Sequence, residues 1–293
     1  MAVSKRRAEY LSYAGFLSIA IVWGVAFVIV KNSLDYIPPV YLLALRFTIA
    51  GGLLFLFTIR RTFEAIRNNR EILIHGLIIG VILYLSYLAQ TIGLVYTTAG
   101  KNAFLTAVYV VMVPFVHWIR VKKRPEKLCF IAAFIAIAGI GLITLDGDMT
   151  VNRGDLLTLL CGVLFSLQIE YIGKYSRIED PIVISMLMMA TAAVVSWITA
   201  PFFDGPVSNI VFNRESVGGL LYLAVLSTMV CFVIQSVCQR YVKSSVAAII
   251  MSAEAVFGAV SSAVILGERM SAKVIAGCVL LFAAIILAQL DTE

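Results

Sequence analysis

IIMSAEAVFGAVSSAVIL, residues 249–266, is apolar or small throughout except for Glu254 near its middle. Its eighteen residues have the length and composition of a helix crossing a bilayer, which takes about 20 apolar residues. A helix on the surface of a soluble protein would show a charged face opposite its apolar one. This stretch has none, so it is read as a membrane span. An ionisable side chain at the bilayer centre costs at least about 2.5–3.5 kcal/mol, and such a residue marks function by default.

The rest of the chain has the same character. It holds 293 residues, 61% of them hydrophobic and 14% charged, against about 45–50% and 25% in soluble domains. Ten runs have the length of a helical span: about 12–30, 40–59, 72–95, 102–120, 127–145, 155–175, 182–200, 217–238, 245–265 and 273–289. They are continuous rather than alternating, which argues against a barrel. The prediction is an all-α membrane protein with ten transmembrane helices. The connections are short, as in DYIPP, DGDMTVNRGD and FDGPVSN, and leave no room for a soluble domain. The first run follows Lys5, Arg6 and Arg7, but it is too long for a signal-peptide core and no A-x-A-like site follows. It is read as an uncleaved first span. Cys129, Cys161, Cys231, Cys238 and Cys278 all lie in apolar runs, without metal-ligand spacing, and are read as small buried side chains.

Lysine and arginine concentrate in cytoplasmic loops. With the N-terminus inside, the inner segments carry sixteen of them and the outer segments six. Both termini are therefore expected in the cytoplasm of a multi-pass protein of the bacterial plasma membrane. The net charge of +6 then faces anionic lipid, and no basic tail with interleaved aromatics suggests nucleic acid.

The two halves echo each other. A shift of 145 residues pairs AQTIGLVYTTAGKNAF (89–104) with IQSVCQRYVKSSVAAI (234–249), matching Gln90 to Gln235, Tyr96 to Tyr241 and Ala103 to Ala248. At a slightly different offset, YIPPV (36–40) matches IEDPI (178–182). Two five-helix repeats follow, residues 1–148 and 149–293. Five is odd, so the second half would insert upside down. Inverted repeats of this kind mark secondary transporters, with the site at the repeat interface near the midplane.

LLALRF (42–47), TTAGKNAFLTAVYVVMVPF (97–115) and VILGERMSAKVIAGCVLL (264–281) resemble the EamA-type members of the drug/metabolite transporter superfamily. The resemblance runs over essentially the whole chain, with the LGER turn as its most specific part. The first-half counterpart of that turn reads VKKR (121–124), so only the second copy is intact. The resemblance implies ten spans, an inverted five-plus-five repeat and a central cavity lined by spans one, three, four, six, eight and nine. It also implies transport of amino acids, other small metabolites or drugs, often outward.

Glu254 is the first candidate site residue. On a helix it shares a face with Ala247, Met251, Gly258 and Ser261. The 145-residue shift sets Tyr109 opposite it, on a face with Asn102, Thr106 and Val113. Glu254 can pair with a cationic or amino group of the substrate, or take up a proton; a structural hydrogen bond is the alternative. Glu170, in FSLQIEYIGKY, is a second acid near the inner end of its span, or an ordinary helix ion pair with Lys174. Gln90 and Gln235 are either site residues or interhelical glue. Trp23, Tyr84, Tyr87 and Tyr109 can wall the cavity with amphipathic rings, although a single aromatic in a span is more often lipid-facing or packed. Arg46 would suit a carboxylate anchor, but the resemblance puts its span outside the cavity, so it is read as structural, snorkelling to the outer headgroups or bracing neighbouring helices. Trp118, Trp197, His75 and His117 read as interfacial residues. Pro114 can kink span four. Ala132, Ala136 and Gly139 in span five, with Ala284 and Ala288 in span ten, suit close packing of these two spans or a homodimer contact.

Motifs of an intramembrane enzyme or an ATP-driven pump are missing: there is no HExxH, GxSxG or Walker A loop. No cofactor or metal is expected. Polar residues within the spans are too sparse for the continuous polar stripe of a channel. The reading is a secondary transporter exporting one small solute at a time, an amino acid or amine, by alternating access around Glu254 and Tyr109. The other readings are a channel-like or lipid-handling protein, or a facilitative uniporter of a neutral metabolite.

Overall fold

The computed structural model describes residues 2–124, 127–144 and 152–289. Lys5, the Cys129 and Ala288 side chains and the expected repeat boundary at 148/149 lie outside what is described. Every regular element among the described residues is helical. In chain order these are α1 (Ala2–Ser33), α2 (Pro39–Asn68), α3 (Glu71–Tyr96), α4 (Ala99–Thr106), α5 (Tyr109–Val121), α6 (Lys127–Thr144) and α7 (Arg153–Tyr175). Then follow α8 (Pro181–Asp204), α9 (Arg214–Leu221), α10 (Cys231–Cys238), α11 (Ser244–Met251), α12 (Glu254–Ser261) and α13 (Ala272–Gln289). A π-helical stretch, Tyr222–Val230, joins α9 to α10, and another, Ser262–Leu266, extends α12.

Among the described residues eight stretches are long and apolar enough to cross a membrane. Three of them are composite: α4 with α5, α9 with α10, and α11 with α12. The helices α6 and α13, where spans five and ten were expected, are apolar over Phe130–Gly139 and Ala272–Ala284 and pack against each other. Ala132, Ala136 and Ala284 are fully buried, so these small residues serve packing within one chain. The main body brings α2 onto α8, α3 onto α7 and α8, and α1 and α4 onto α12. Large apolar side chains such as Phe57, Phe134, Phe202 and Val264 point outward, as a lipid-facing surface requires.

Polar contacts sort the loops into two ends. At one end Arg61 pairs with Asp180, His75 and Asn69 reach Glu179, and Arg177 donates to the Val242 carbonyl. At the other, Lys31 donates to the carbonyls of Leu94 and Thr97, Asp204 accepts from the amides of Val40 and Tyr41, and Asp155 accepts from Thr97. Tyr36 there donates to Glu215 at 2.7 Å, and the carboxylate pushes the phenol above its ordinary pKa.

The composite stretches α4–α5 and α11–α12, where spans four and nine were expected, are each broken once, at equivalent places. The first breaks at Ala107–Val108 and the second at Ser252–Ala253, 145 residues on. Both use the same tightened i→i+3 pattern: the amides of Val110 and Val111 bond the carbonyls of Ala107 and Val108 at 3.1 and 3.0 Å. Those of Ala255 and Val256 bond Ser252 and Ala253 at 3.0 Å each. Pro114 does not make the break: α5 runs through it, and Ala259 stands at the equivalent place in α12.

The ends of the two spans correspond as well. Lys122 closes α5 with φ 61°, and Gly267 closes the second π stretch with φ 65°. Glycine adopts this left-handed conformation freely, whereas other L-residues strain in it. Lys122→Gly is therefore expected to be neutral or to stabilise by up to about 1 kcal/mol, read as a raised melting temperature in detergent. Gly267 turns the chain so that Glu268 accepts from the amides of Ala99 and Gly100, at 3.0 and 3.1 Å, and from the Ser262 hydroxyl. The LGER turn thus caps the start of α4. Glu268→Ala leaves those two amides without their acceptor. It is expected to cost about 1–3 kcal/mol, with Glu268→Gln losing less because one acceptor oxygen remains.

Candidate functional site

A cavity of about 540 Å³, counted with the space through which it opens to solvent, is walled by the middle parts of seven spans. The helix α1 contributes Trp23 and Phe27, α3 contributes Tyr87, Gln90 and Thr91, and α7 contributes Phe165 and Gln168. Thr106 and Tyr109 flank the break in span four, Ser227 comes from the π-helical stretch of span eight, and Glu254 opens the second half of span nine. The lining thus comes from α1, α3, the α4–α5 stretch, α7, the π-helical stretch and α12, where spans one, three, four, six, eight and nine were expected. The addition is Arg46 from span two.

Why Tyr109 and Glu254 face the same space follows from the backbone. Each is the first residue after its break, at the N-terminus of a new half-helix. A carboxylate in such a first turn interacts favourably with the helix dipole. Glu254 is 3% exposed, and none of the ion pairs among the described residues involves it. The Tyr109 hydroxyl lies near the Glu254 carboxyl, yet no well-formed hydrogen bond satisfies it. The amide of Gln168 is also buried without a hydrogen-bond partner. Trp23 is fixed by donating to the Ser227 carbonyl at 2.8 Å, and its ring lies 5.3 Å from that of Phe232.

Arg46 braces α2 against the π-helical stretch, and it also reaches the cavity. It is 1% exposed. Its Nε donates to Thr228 Oγ1 at 3.0 Å and its Nη2 to Ser227 Oγ at 3.4 Å, and the guanidinium lies 4.5 Å from the Tyr87 ring centroid. The π-helical backbone over Tyr222–Val230 carries both hydroxyls, and the Thr228 hydroxyl also donates to the carbonyl of Leu223, five residues earlier. The helix is widened there and presents two hydroxyls to one cation. Widened turns of this kind recur at functional sites.

Several predicted residues fall elsewhere. Tyr84 bonds Thr199 at 2.5 Å, outside the cavity lining. Asn102 donates to Thr158 at 2.7 Å and to the Gln90 carbonyl at 3.4 Å, tying α4 to α7 and α3. Gln90 lines the cavity and donates to Thr106, but its mate Gln235 is buried outside it with its amide unpaired. Met251 is buried and Ser261 half-buried, neither in the lining. The break at Ser252–Ala253 separates Met251 from Glu254, while Ser261 stands at the far end of Glu254's own helix, about two turns on. Glu170 also lies outside, 1% exposed, held by Arg120 through Nε at 2.8 Å and Nη2 at 2.5 Å and by His117 at 2.7 Å. The alternative pair with Lys174 does not form; that ammonium sits 4.6 Å from the Tyr175 ring centroid. His75 stacks on Tyr175 with centroids 3.9 Å apart.

Gln168 and Ser227 escaped the sequence reading. Gln168 stands two residues before Glu170, on the opposite side of the helix, and the more conspicuous acid drew the attention. Cys161, Cys231, Cys238 and Cys278 are free and buried. No group of side chains among the described residues has the makings of a metal site.

The sequence profile of the EamA-like transporter family matches residues 11–145 and again 152–290. An uncharacterised transporter of Archaeoglobus fulgidus is 32% identical over 276 residues, spanning 94% of this chain and 85% of its own. A Salmonella typhimurium protein named "Probable amino-acid metabolite efflux pump" is 26% identical over 291 residues, 92% of this chain and 93% of its own. One solved crystal structure shares the fold with a TM-score of 0.71 at 15% identity, covering 96% of this chain and 99% of that one.

Proposed function

The chain belongs to the EamA-like transporter family, and from that premise we propose that it exports a small metabolite, an amino acid or amine, across the plasma membrane. The observation that carries this reading is the placement of Tyr109 and Glu254 at equivalent helix breaks, facing one cavity. Broken helices at a midplane cavity are the usual binding device of secondary transporters. In this reading the chain has ten spans in two inverted repeats, 1–148 and 149–293. The two successive profile matches support it, as do the breaks and left-handed residues spaced by 145. The end carrying Arg61, Arg120 and Arg177 is cytoplasmic, with both termini, by the charge bias of its loops.

The proposed mechanism is alternating access. The two repeats rock about the cavity, and the breaks at Ala107–Val108 and Ser252–Ala253 absorb the bending. Closure of the outer end uses Lys31 on the Leu94 and Thr97 carbonyls and Glu268 on the start of α4. Closure of the inner end uses Arg120 on Glu170 and Arg61 on Asp180. Glu254 is the only carboxyl among the described residues of the cavity lining. It is therefore the residue proposed to hold the substrate's amino group and to exchange a proton. The amino-acid preference rests on this acid, the surrounding aromatic and amide groups, and the name of the Salmonella relative.

Proteoliposomes test the coupling. An imposed pH gradient is expected to drive accumulation of the transported solute against its own gradient. Accumulation that ignores the pH gradient would leave facilitated diffusion as the mechanism.

A further inference from the structure

Arg46 is a fixed charge inside the membrane with no acid to match it. Its bonded partners are two neutral hydroxyls, Ser227 and Thr228, and the Tyr87 ring lies beneath it. None of the ion pairs among the described residues includes it. A buried guanidinium left in this way is a standing cost that an anion entering the cavity would offset. Two of its five N–H donors bond Thr228 and Ser227, and the Tyr87 side chain is a further contact, which still leaves donors for an incoming group. Planar guanidinium and carboxylate match in two parallel hydrogen bonds. Gln168 and Tyr109 add buried polar atoms without partners to the same cavity.

Glu254 lines that cavity too, unpaired with any cation among the described residues. Tyr87 is near enough to feel the charge of both Arg46 and Glu254. The cavity therefore holds one positive and one negative group that do not neutralise each other directly. Resting on the transporter reading above, we propose that its substrates carry both a carboxylate and an ammonium, and that Arg46 sets the requirement for the carboxylate. A zwitterion lying between Arg46 and Glu254 would satisfy both charges at once and leave the cavity neutral. A simple amine would satisfy Glu254 and leave Arg46 unmatched.

Matched ligand trios test this without relying on a variant. For leucine, phenylalanine and threonine, the amino acid is compared with the amine lacking its carboxylate and the acid lacking its amino group. Each is assayed on the purified wild-type protein, by melting temperature in detergent and by competition for counterflow in proteoliposomes. In any trio that binds, the amino acid is expected to outcompete the amine by roughly 30-fold or more. Arg46→Gln is expected to erase that preference, and Arg46→Lys to restore part of it. An amine that competes as well as its parent amino acid on the wild type overturns the carboxylate requirement and leaves the transporter reading standing. A preference that survives in Arg46→Gln takes the role from Arg46. If no solute of any class is carried, the transporter reading falls and this inference with it.

Discussion

Glu254→Gln is expected to abolish accumulation of the transported solute while leaving the protein folded. The substitution keeps the shape of the side chain and removes only its charge and its titratable proton. The carboxyl is buried and has no cationic partner among the described residues, so a neutral amide relieves a desolvation cost. The melting temperature should be unchanged or raised. Apparent affinity for an amino-bearing solute should fall by roughly 30-fold or more, the usual consequence of removing one side of a buried charge pair. What transport remains should no longer respond to a pH gradient. A variant that transports like wild type, with the same affinity and pH response, would make Glu254 a structural residue. The conjunction of intact fold and lost transport is what a merely structural acid would not produce.

The second large effect concerns packing beside that acid. A Cβ at Gly24 would fall against the Phe257 side chain and within 2.9 Å of the backbone of Phe257 and Gly258. A Cβ at Gly258 would lie 2.6 Å from the Cβ of Ala103. The backbones of α1 and α12 therefore approach without intervening side chains, and α4 closes the same contact. Small residues permit such approaches in membranes, where association depends on packing and not on the hydrophobic effect. Gly24→Val forces backbone apart from backbone, which no rotamer change can relieve. Overpacking of this kind costs about 1–3 kcal/mol or more. The variant should give markedly less monodisperse protein on size exclusion, with a lower melting temperature. Gly52→Ala is the control, because a Cβ there meets nothing within 4 Å. It should be neutral or stabilising by roughly 0.5–1 kcal/mol. Equal behaviour of the two variants would show that the close approach of α1 to α12 carries no stability.

Hydropathy makes the spans legible because it measures what a bilayer selects, the length of an apolar run. It is silent on whether a run is one helix or two. Nothing in LTAVYVV or MSAEAVF distinguishes a break from a continuous turn, since neither contains glycine or proline. Pro114, the visible candidate, proved to lie within an unbroken helix. The 145-residue shift did carry the information, since it aligns Ala107 with Ser252 and Tyr109 with Glu254. It took backbone geometry to show that what the shift aligns is a pair of breaks. The site followed the same rule. Glu254, Tyr109, Trp23, Tyr87, Gln90 and Thr106 were recognisable as polar or aromatic residues in apolar runs, and all six line the cavity. Met251 was placed there by the spacing of an unbroken helix, and the break removed it; Ser261 shares α12 with Glu254 but lies at its far end, beyond the cavity. Arg46 was assigned a structural role because a span-level rule set its helix outside the cavity. A long side chain reaches past its own helix, and the widened turn in span eight supplied the hydroxyls that draw it in.

Counterflow in proteoliposomes puts the transporter reading at greatest risk. Vesicles containing the protein are loaded with an unlabelled amino acid, diluted into trace label, and compared with vesicles containing Glu254→Gln. Alternating access around this cavity predicts transient, saturable accumulation of label in the wild type, stimulated by solute on the far side, and its loss in the variant. Label that merely equilibrates, without saturation or stimulation from the far side, and does so equally in both proteins, would contradict that mechanism and point to a pore.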